Sequence, residues 1–167
     1  MSYYSNTDIN EIIPGLYISN WETSNNTDIL DKNRIKAVIT LEMSSKPEYI
    51  LYYYKMRGID NMQIQIPDFP NSDISKYFDI TYNFIKKHLS KGENVLVHCA
   101  AGISRSSTII LNYIIRNIYE HGYVQKDPYN IVKDVIDYSR TRRSVINPNQ
   151  GFQQQLLAKA TEYSKNS

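Results

Sequence analysis

The residues best suited to catalysis lie in one segment, positions 95–106, with the sequence VLVHCAAGISRS. This segment contains the chain's only cysteine, Cys99, and Arg105 follows it six positions later. An apolar run precedes the cysteine and an apolar helical pattern follows residue 104, so the segment predicts a strand, a tight turn and a helix. The turn opens with Ala-Ala-Gly, small residues that let the backbone approach an anion closely, and Gly102 can adopt a positive φ.

A turn of this kind is suited to anion binding. Its backbone N–H groups can converge on one point, and the helix N-terminus adds positive potential there. The same potential favours the thiolate form of Cys99, which is the nucleophilic form. The planar guanidinium of Arg105 matches two oxygens of a phosphoryl group. A lone cysteine is most often a small buried apolar residue, but this setting predicts phosphoryl transfer to sulfur, with Cys99 as the nucleophile.

The remaining chain supplies the elements that position this turn. Short β-type runs alternate with helical patterns, which is typical of an α/β domain with helices covering a mostly parallel sheet. The predicted strands are residues 16–19, 37–41, 62–66 and 95–98. The predicted helices are residues 27–33 and 74–89, one after residue 104, one opened by Asp127-Pro128 and one opened by Asn147-Pro148. We predict a sheet of about four to five strands in one domain over residues 9–163, with frayed ends at 1–8 and 164–167.

Composition excludes several classes of protein. A chain of 167 residues can bury a large core without staples, and a single cysteine rules out an internal disulfide. The 41% apolar and 22% charged residues are typical of a globular domain, and a net charge of +2 gives no reason to expect nucleic acid or an anionic membrane as partner. No apolar run is long enough to span a bilayer. We expect a reducing compartment such as the cytoplasm, and the oligomeric state stays open.

The Cys-x5-Arg pattern and its surroundings resemble the protein tyrosine phosphatase superfamily and, within it, the dual-specificity phosphatases. EIIPGLYIS is similar to the family's first strand, IKAVITL to its second strand and SVINPNQGFQQQL to its closing helix. The Arg-Ser-Ser continuation favours this class over the larger tyrosine-specific enzymes, and DISKYFD resembles poxvirus members, which is compatible with a viral source. The resemblance implies the protein tyrosine phosphatase-like fold. It also implies hydrolysis of phosphotyrosine and phosphoserine or phosphothreonine in proteins through a cysteinyl-phosphate.

The resemblance also implies roles for individual residues. Asp68, in the stretch IPDFPNSDI, matches the family's general acid, whereas its rival Asp73 is better explained as a helix N-cap. Ser106 would ease departure of the thiolate from the intermediate. The implied phosphate-binding loop consists of Ala100, Ala101, Gly102, Ile103, Ser104 and Arg105. We expect no metal or other cofactor, because thiolate, arginine and loop amides would supply the charge that a metal provides.

Supporting residues flank this loop. Because His98 is adjacent to Cys99 on a strand, its side chain should point to the opposite face, so it is not a catalytic base. The resemblance makes His98 a hydrogen-bonding partner that orients the loop. Asn147 either braces the loop, as the family's Asn-Pro position implies, or caps the last helix. The basic patch, formed by Arg140, Arg142 and Arg143, fits a solvated surface better than a site for acidic substrates.

Other functions explain the sequence less well. A cysteine protease could use His88 or His121 as its base, but that function would not explain the Cys-x5-Arg loop. A rhodanese-like sulfurtransferase needs no acid at Asp68, and a phosphoprotein-binding module normally lacks the nucleophile or the acid. A lipid or RNA phosphatase of the same superfamily is the main alternative. The variable positions of the loop are uncharged, whereas lipid-directed relatives commonly carry lysines there, so protein substrates are favoured.

Overall fold

The computed structural model describes residues 8–122 and 126–166, and in this part of the chain a five-stranded sheet organises the fold. The strands are β1 (Ile9–Ile13), β2 (Leu16–Ser19), β3 (Ile35–Leu41), β4 (Asp60–Ile64) and β5 (Asn94–His98). Their order across the sheet is β1-β2-β5-β3-β4, with β1 antiparallel to β2 and every other pair parallel. The prediction of an α/β fold with a mostly parallel sheet of four to five strands is confirmed.

Helices cover both faces of the sheet. They are α1 (Trp21–Ser24), α2 (Thr27–Lys32), α3 (Glu48–Arg57), α4 (Phe78–Leu89), α5 (Arg105–His121), α6 (Pro128–Arg142) and α7 (Gln150–Lys165). Side chains alternate between the faces along a strand, so Val95 and Val97 join the large core formed with α4 to α7, while Leu96 joins a smaller core with α2 and α3. Within the described ranges, no helix combines the length and apolarity needed to cross a membrane.

Several predicted boundaries are shifted. The predicted strand 62–66 is observed two residues earlier, as β4, and the predicted helix 74–89 begins as a short 3-10 turn before α4. The last helix begins after Asn149, not at Asn147, because the Asn149 side chain accepts the Phe152 N–H at 2.9 Å. Helix α7 extends two residues beyond position 163. The ends predicted to be frayed lie outside the described residues, apart from Asp8 and the last residues up to 166.

Three elements had no counterpart in the prediction. Strand β1 is an edge strand whose residues are mostly half-buried, so its sequence lacks a clear apolar alternation. Helix α1 has only four residues, too few for a periodic signal. Helix α3 buries Ile50 and Tyr54 but exposes other large apolar side chains, so no single apolar stripe marks it as amphipathic.

Candidate active site

The candidate nucleophile lies at the end of the central strand. Cys99 follows the last residue of β5, which has a parallel neighbour on each side, and α5 begins at Arg105. Because parallel strands end at the same edge of a sheet, this is the edge where open α/β sheets bind ligands. Strand β5, the loop after it and helix α5 therefore follow one another in the order that the sequence predicts.

The carbonyl oxygens of residues 99–103 all accept hydrogen bonds from groups outside the loop. The five contacts are His98 Nδ1 to Cys99 O at 3.3 Å, the Trp21 N–H to Ala100 O at 2.9 Å, Arg143 Nη2 to Ala101 O at 3.2 Å, Arg143 Nε to Gly102 O at 2.9 Å and the Asn147 N–H to Ile103 O at 2.9 Å. These donors come from four different parts of the chain. Together they hold five successive carbonyl groups on the outer side of the loop.

The orientation of the carbonyl groups fixes that of the amides. In a planar trans peptide unit, the C=O of one residue and the N–H of the next point in opposite directions. The N–H groups of residues 100–104 are therefore directed away from the outer donors, toward the inside of the loop. The Gly102 N–H shows this directly, since it donates to Cys99 Sγ at 3.3 Å. Such a series of inward amides is an anion-binding concavity.

The sulfur of Cys99 is buried at the base of this loop, with the residue 2% exposed. It receives the Gly102 N–H and lies 3.2 Å from Ser106 Oγ, so two polar hydrogens can stabilise negative charge on it. Gly102 adopts φ +67°, and a Cβ there would lie 2.6 Å from the backbone oxygen of Ser19. Only glycine satisfies both the left-handed backbone and this close approach.

His98 is fully buried behind the loop. Burial, together with the positive charge of Lys46, holds the pKa of His98 well below its usual range, so the ring is neutral. Its Nδ1 faces the carbonyl of Cys99, which can only accept, so we assign the proton to Nδ1. Nε2 then accepts from the Thr40 hydroxyl at 2.8 Å. Both ring nitrogens are engaged, so His98 contacts the loop at the Cys99 carbonyl and has no free nitrogen to act as a base.

Arg105 is oriented by a carboxylate that the sequence analysis did not identify. Its two terminal nitrogens donate to the carboxylate oxygens of Glu42 at 3.2 and 3.3 Å, and Nη1 also donates to the Ile66 carbonyl at 3.0 Å. The residue is 8% exposed, and its buried Nε has no hydrogen-bond partner within the described ranges. Glu42 directly follows β3, the neighbour of β5, so its position at the end of a parallel strand was the available signal.

Asp68 lies on the exposed loop between β4 and α4 and is connected through Asn149 to the loop that follows Cys99. Asn149 Nδ2 donates to Asp68 Oδ1 at 2.9 Å, while the Asn149 N–H donates to Ser104 Oγ at 2.9 Å. Two residues before Asp68, the Ile66 carbonyl accepts from Arg105. Both contacts bring the Asp68 loop to the anion-binding loop. The sequence analysis did not identify Asn149, because this residue is far from Asp68 in the sequence and the two side chains meet only in the folded chain.

Asp73, the rival acid, has a different environment. Its Oδ1 accepts from the Ser75 hydroxyl at 2.7 Å and from the Lys76 N–H at 3.3 Å, at the start of the 3-10 turn before α4. The Ser75 hydrogen bond, more than any other contact, lowers the pKa of Asp73 below its usual value. A carboxylate held in its ionised form is a poor proton donor at neutral pH.

The three arginines of the basic patch differ in exposure. Arg140 and Arg142 are exposed, but for Arg143 the expectation of a solvated side chain is wrong. Arg143 is buried, because the carbonyls of the loop and the side chains of Asp8 and Asn10 satisfy its guanidinium. Asn147 does not cap the last helix. It contacts the loop through its backbone N–H, and the one side-chain hydrogen bond that it makes within residues 8–122 and 126–166 is from Arg140, at 3.4 Å.

Comparison with known proteins agrees with this geometry. The family model for the dual specificity phosphatase catalytic domain matches residues 16–162. Dual specificity protein phosphatase 22 of Homo sapiens is 32% identical over 148 residues, which cover 89% of this chain and 71% of that protein.

Solved structures show the same similarity. The crystal structure of DUSP15 superposes with a TM-score of 0.76 at 30% identity and covers 95% of this chain and 93% of that one. The crystal structure of human tyrosine phosphatase-like serine/threonine/tyrosine-interacting protein has a TM-score of 0.73 at 29% identity, covering 93% of this chain and 97% of that one.

Proposed function

The chain belongs to the dual specificity phosphatase family, and we propose that it hydrolyses phosphotyrosine and phosphoserine or phosphothreonine in proteins through a cysteinyl-phosphate on Cys99. The observation that carries this proposal is the arrangement around the sulfur. The amides of residues 100–104 point to the inside of the loop, where the Gly102 N–H donates to Cys99 Sγ, and the buried Nε of Arg105 lacks a partner among the described residues. A phosphoryl group placed there would accept from these donors, which satisfies the buried guanidinium nitrogen.

The first step forms a bond between sulfur and phosphorus. The thiolate of Cys99 attacks phosphorus in line with the ester oxygen, and the loop amides and Arg105 stabilise the charge on the equatorial oxygens. As the ester bond breaks, Asp68 donates its proton to the leaving oxygen. Glu42 keeps the guanidinium of Arg105 in the plane from which two nitrogens can face the phosphoryl group.

The second step releases phosphate. Asp68, now a carboxylate, takes a proton from water as the water oxygen attacks phosphorus and the sulfur–phosphorus bond breaks. The electron pair returns to Cys99 Sγ, where the Ser106 hydroxyl, 3.2 Å away, stabilises the departing thiolate. The roles of Cys99, Arg105, Asp68 and Ser106 are all parts of this proposal.

We also propose phosphorylated proteins, rather than lipids, as substrates. Ala100, Ala101, Ile103 and Ser104 carry no charge, so a single phosphoryl group is the anion that the loop itself can neutralise. A reducing compartment such as the cytoplasm fits this chemistry, because the mechanism requires the chain's only cysteine as a free thiol.

The proposal is tested by assaying the wild-type chain side by side on phosphopeptides, a phosphoinositide and RNA with a 5′-triphosphate. We expect release of phosphate from phosphotyrosine and phosphothreonine peptides, and none after Cys99→Ser, while that variant still binds the peptides. Rapid acid quenching followed by mass spectrometry should find phosphate on Cys99. Faster turnover of the lipid or the RNA would favour the other phosphatase class. Binding of phosphopeptides without any turnover by the wild type would favour a binding module.

A further inference from the structure

Arg143 lies behind the phosphate-binding loop, with its side chain only 3% exposed. Its Nε donates to the carbonyl of Gly102 at 2.9 Å and its Nη2 to the carbonyl of Ala101 at 3.2 Å. The far side of the guanidinium is held by Asp8, whose two carboxylate oxygens lie 2.7 Å from Nη1 and 3.0 Å from Nη2, and by Asn10 Oδ1 at 2.8 Å from Nη1. One buried side chain thus connects the N-terminal segment to the middle of the loop.

The two carbonyl groups held by Arg143 belong to peptide units whose amides face the anion site. The unit between Ala101 and Gly102 has its oxygen on Arg143 and its N–H on Cys99 Sγ. The next unit has the Gly102 oxygen on Arg143, so the N–H of Ile103 points inward as well. If either unit rotated, a carbonyl oxygen would replace an amide hydrogen beside the anion and repel it.

The space around Gly102 leaves little freedom for the loop. A Cβ on Gly102 would lie 2.6 Å from the oxygen of Ser19 and 2.7 Å from Nη2 of Arg143. The loop is therefore packed between the end of β2 and this guanidinium. Glycine has the widest backbone freedom of any residue, so its conformation must be fixed by contacts from outside, and Arg143 provides two of them.

We propose that Arg143 is a positioning residue, held in place by Asp8, that keeps the amides of Gly102 and Ile103 directed at the anion and at Cys99. The inference rests on the proposed function only in naming that anion as a phosphoryl group. Arg143 does not touch the substrate, since its donors are occupied by carbonyl and carboxylate oxygens. It acts through the orientation of two peptide units.

The test measures alkylation of Cys99 by iodoacetamide, with inorganic phosphate as a protecting ligand. We expect Arg143→Gln to weaken phosphate protection by roughly tenfold or more, because hydrogen bonds from a charged donor are lost. Alkylation at neutral pH should also slow, since the sulfur loses a firmly held N–H donor. Phosphate protection in Arg143→Lys should lie between that of the wild type and that of Arg143→Gln. The ammonium keeps the charge but lacks the planar fork that reaches both carbonyls. Arg142→Gln is the matched control: this arginine is exposed and, among the residues that the structure describes, donates only to the Glu11 carbonyl, at 3.1 Å, so protection should be unchanged.

Asp8→Asn provides a second variant that creates no buried void, since the Asp8 carboxylate is 46% exposed. It should weaken phosphate protection by roughly twofold to fivefold, in the range of partly exposed ion pairs. If the Arg143 variants do not fold, Asp8→Asn alone tests the positioning role. Wild-type protection in Asp8→Asn, or an equal loss in Arg142→Gln and Arg143→Gln, would refute the positioning role. Because protection needs no turnover, a wild-type chain inactive on phosphopeptides would overturn only the proposed function.

Discussion

Asn149 combines two contacts that can be separated by substitution. Its Oδ1 accepts the Phe152 N–H and caps α7, and its Nδ2 donates to the carboxylate of Asp68, each at 2.9 Å. Serine at this position can still cap the helix but has no donor that reaches Asp68. Alanine loses both contacts. The backbone N–H of Asn149, which donates to Ser104 Oγ, is present in either variant.

The expected losses of stability and activity follow from these contacts. Loss of an N-cap destabilises a protein by about 1 kcal/mol, which lowers Tm by about 2–4 °C in a domain of this size. The contact with Asp68 is exposed, so its net contribution lies near the ordinary value of about 0.5–1.5 kcal/mol. That energy corresponds to a roughly twofold to tenfold loss in the fraction of correctly oriented acid. We therefore expect Asn149→Ala to lose both stability and activity, and Asn149→Ser to lose chiefly activity.

The assay compares kcat on a phosphoserine peptide with kcat on an activated aryl phosphate, whose leaving group needs little protonation. Both variants should be slower on the peptide and nearly normal on the aryl ester, while calorimetry should find a lower Tm mainly for Asn149→Ala. The reasoning is refuted if Asn149→Ser equals the wild type on the peptide, or if the two substrates are slowed by the same factor. Equal slowing would place the effect on the nucleophile's loop through Ser104, not on the acid.

Three other residues give separate predictions. Asp68→Asn should lower kcat by a factor within the roughly 10²–10⁴ that general acids contribute, most for phosphoserine; the same pattern in Asp73→Asn instead would reassign the acid. Burial lowers the pKa of Lys46 from its ordinary 10.5 to about 7, so the unfolded chain binds more protons between these values. Stability should therefore rise by roughly 2 kcal/mol from about pH 7 to about pH 9, and urea unfolding should find a smaller rise in Lys46→Met. Peroxide without thiol should inactivate the chain irreversibly as Cys99 passes to the sulfinic acid, and added glutathione should keep activity recoverable by a reductant. A stable, fully reducible sulfenamide after prolonged peroxide, seen by mass spectrometry, would contradict this last expectation.

The centre of the candidate site could be predicted because its geometry is local in sequence. Cys99, Gly102 and Arg105 lie within one strand, loop and helix, and each of these elements has its own periodic or conformational signal. The parallel direction of most strands follows from the same patterns, since alternating strands and helices imply parallel pairing. Elements that bury little or lack a single apolar face, such as β1 and α3, leave no comparable signal.

The residues that hold this centre in place could not be predicted in the same way. Glu42, Asn149 and Arg143 reach the loop from positions distant in sequence, and their contacts form only after folding. A charged side chain is normally exposed, so Arg143 was assigned to the surface. Its burial is possible because backbone carbonyls and Asp8 satisfy the guanidinium. Every residue has a backbone carbonyl, so the sequence does not indicate which of them will accept from an arginine.

If the loop binds a phosphoryl dianion as proposed, the outer donors would let it do so without rearranging. Each of the five carbonyl groups from Cys99 to Ile103 already has a donor, supplied by β5, α1, the residue after α6 or the segment before α7. The peptide units are therefore oriented when the chain folds, and no reorientation is required when charge develops on a phosphoryl group. Free peptide units would instead turn their oxygens toward a positive neighbour such as Arg105. Loss of any outer donor should thus weaken anion binding before it unfolds the domain, because it releases one peptide unit while the core of the sheet stays intact.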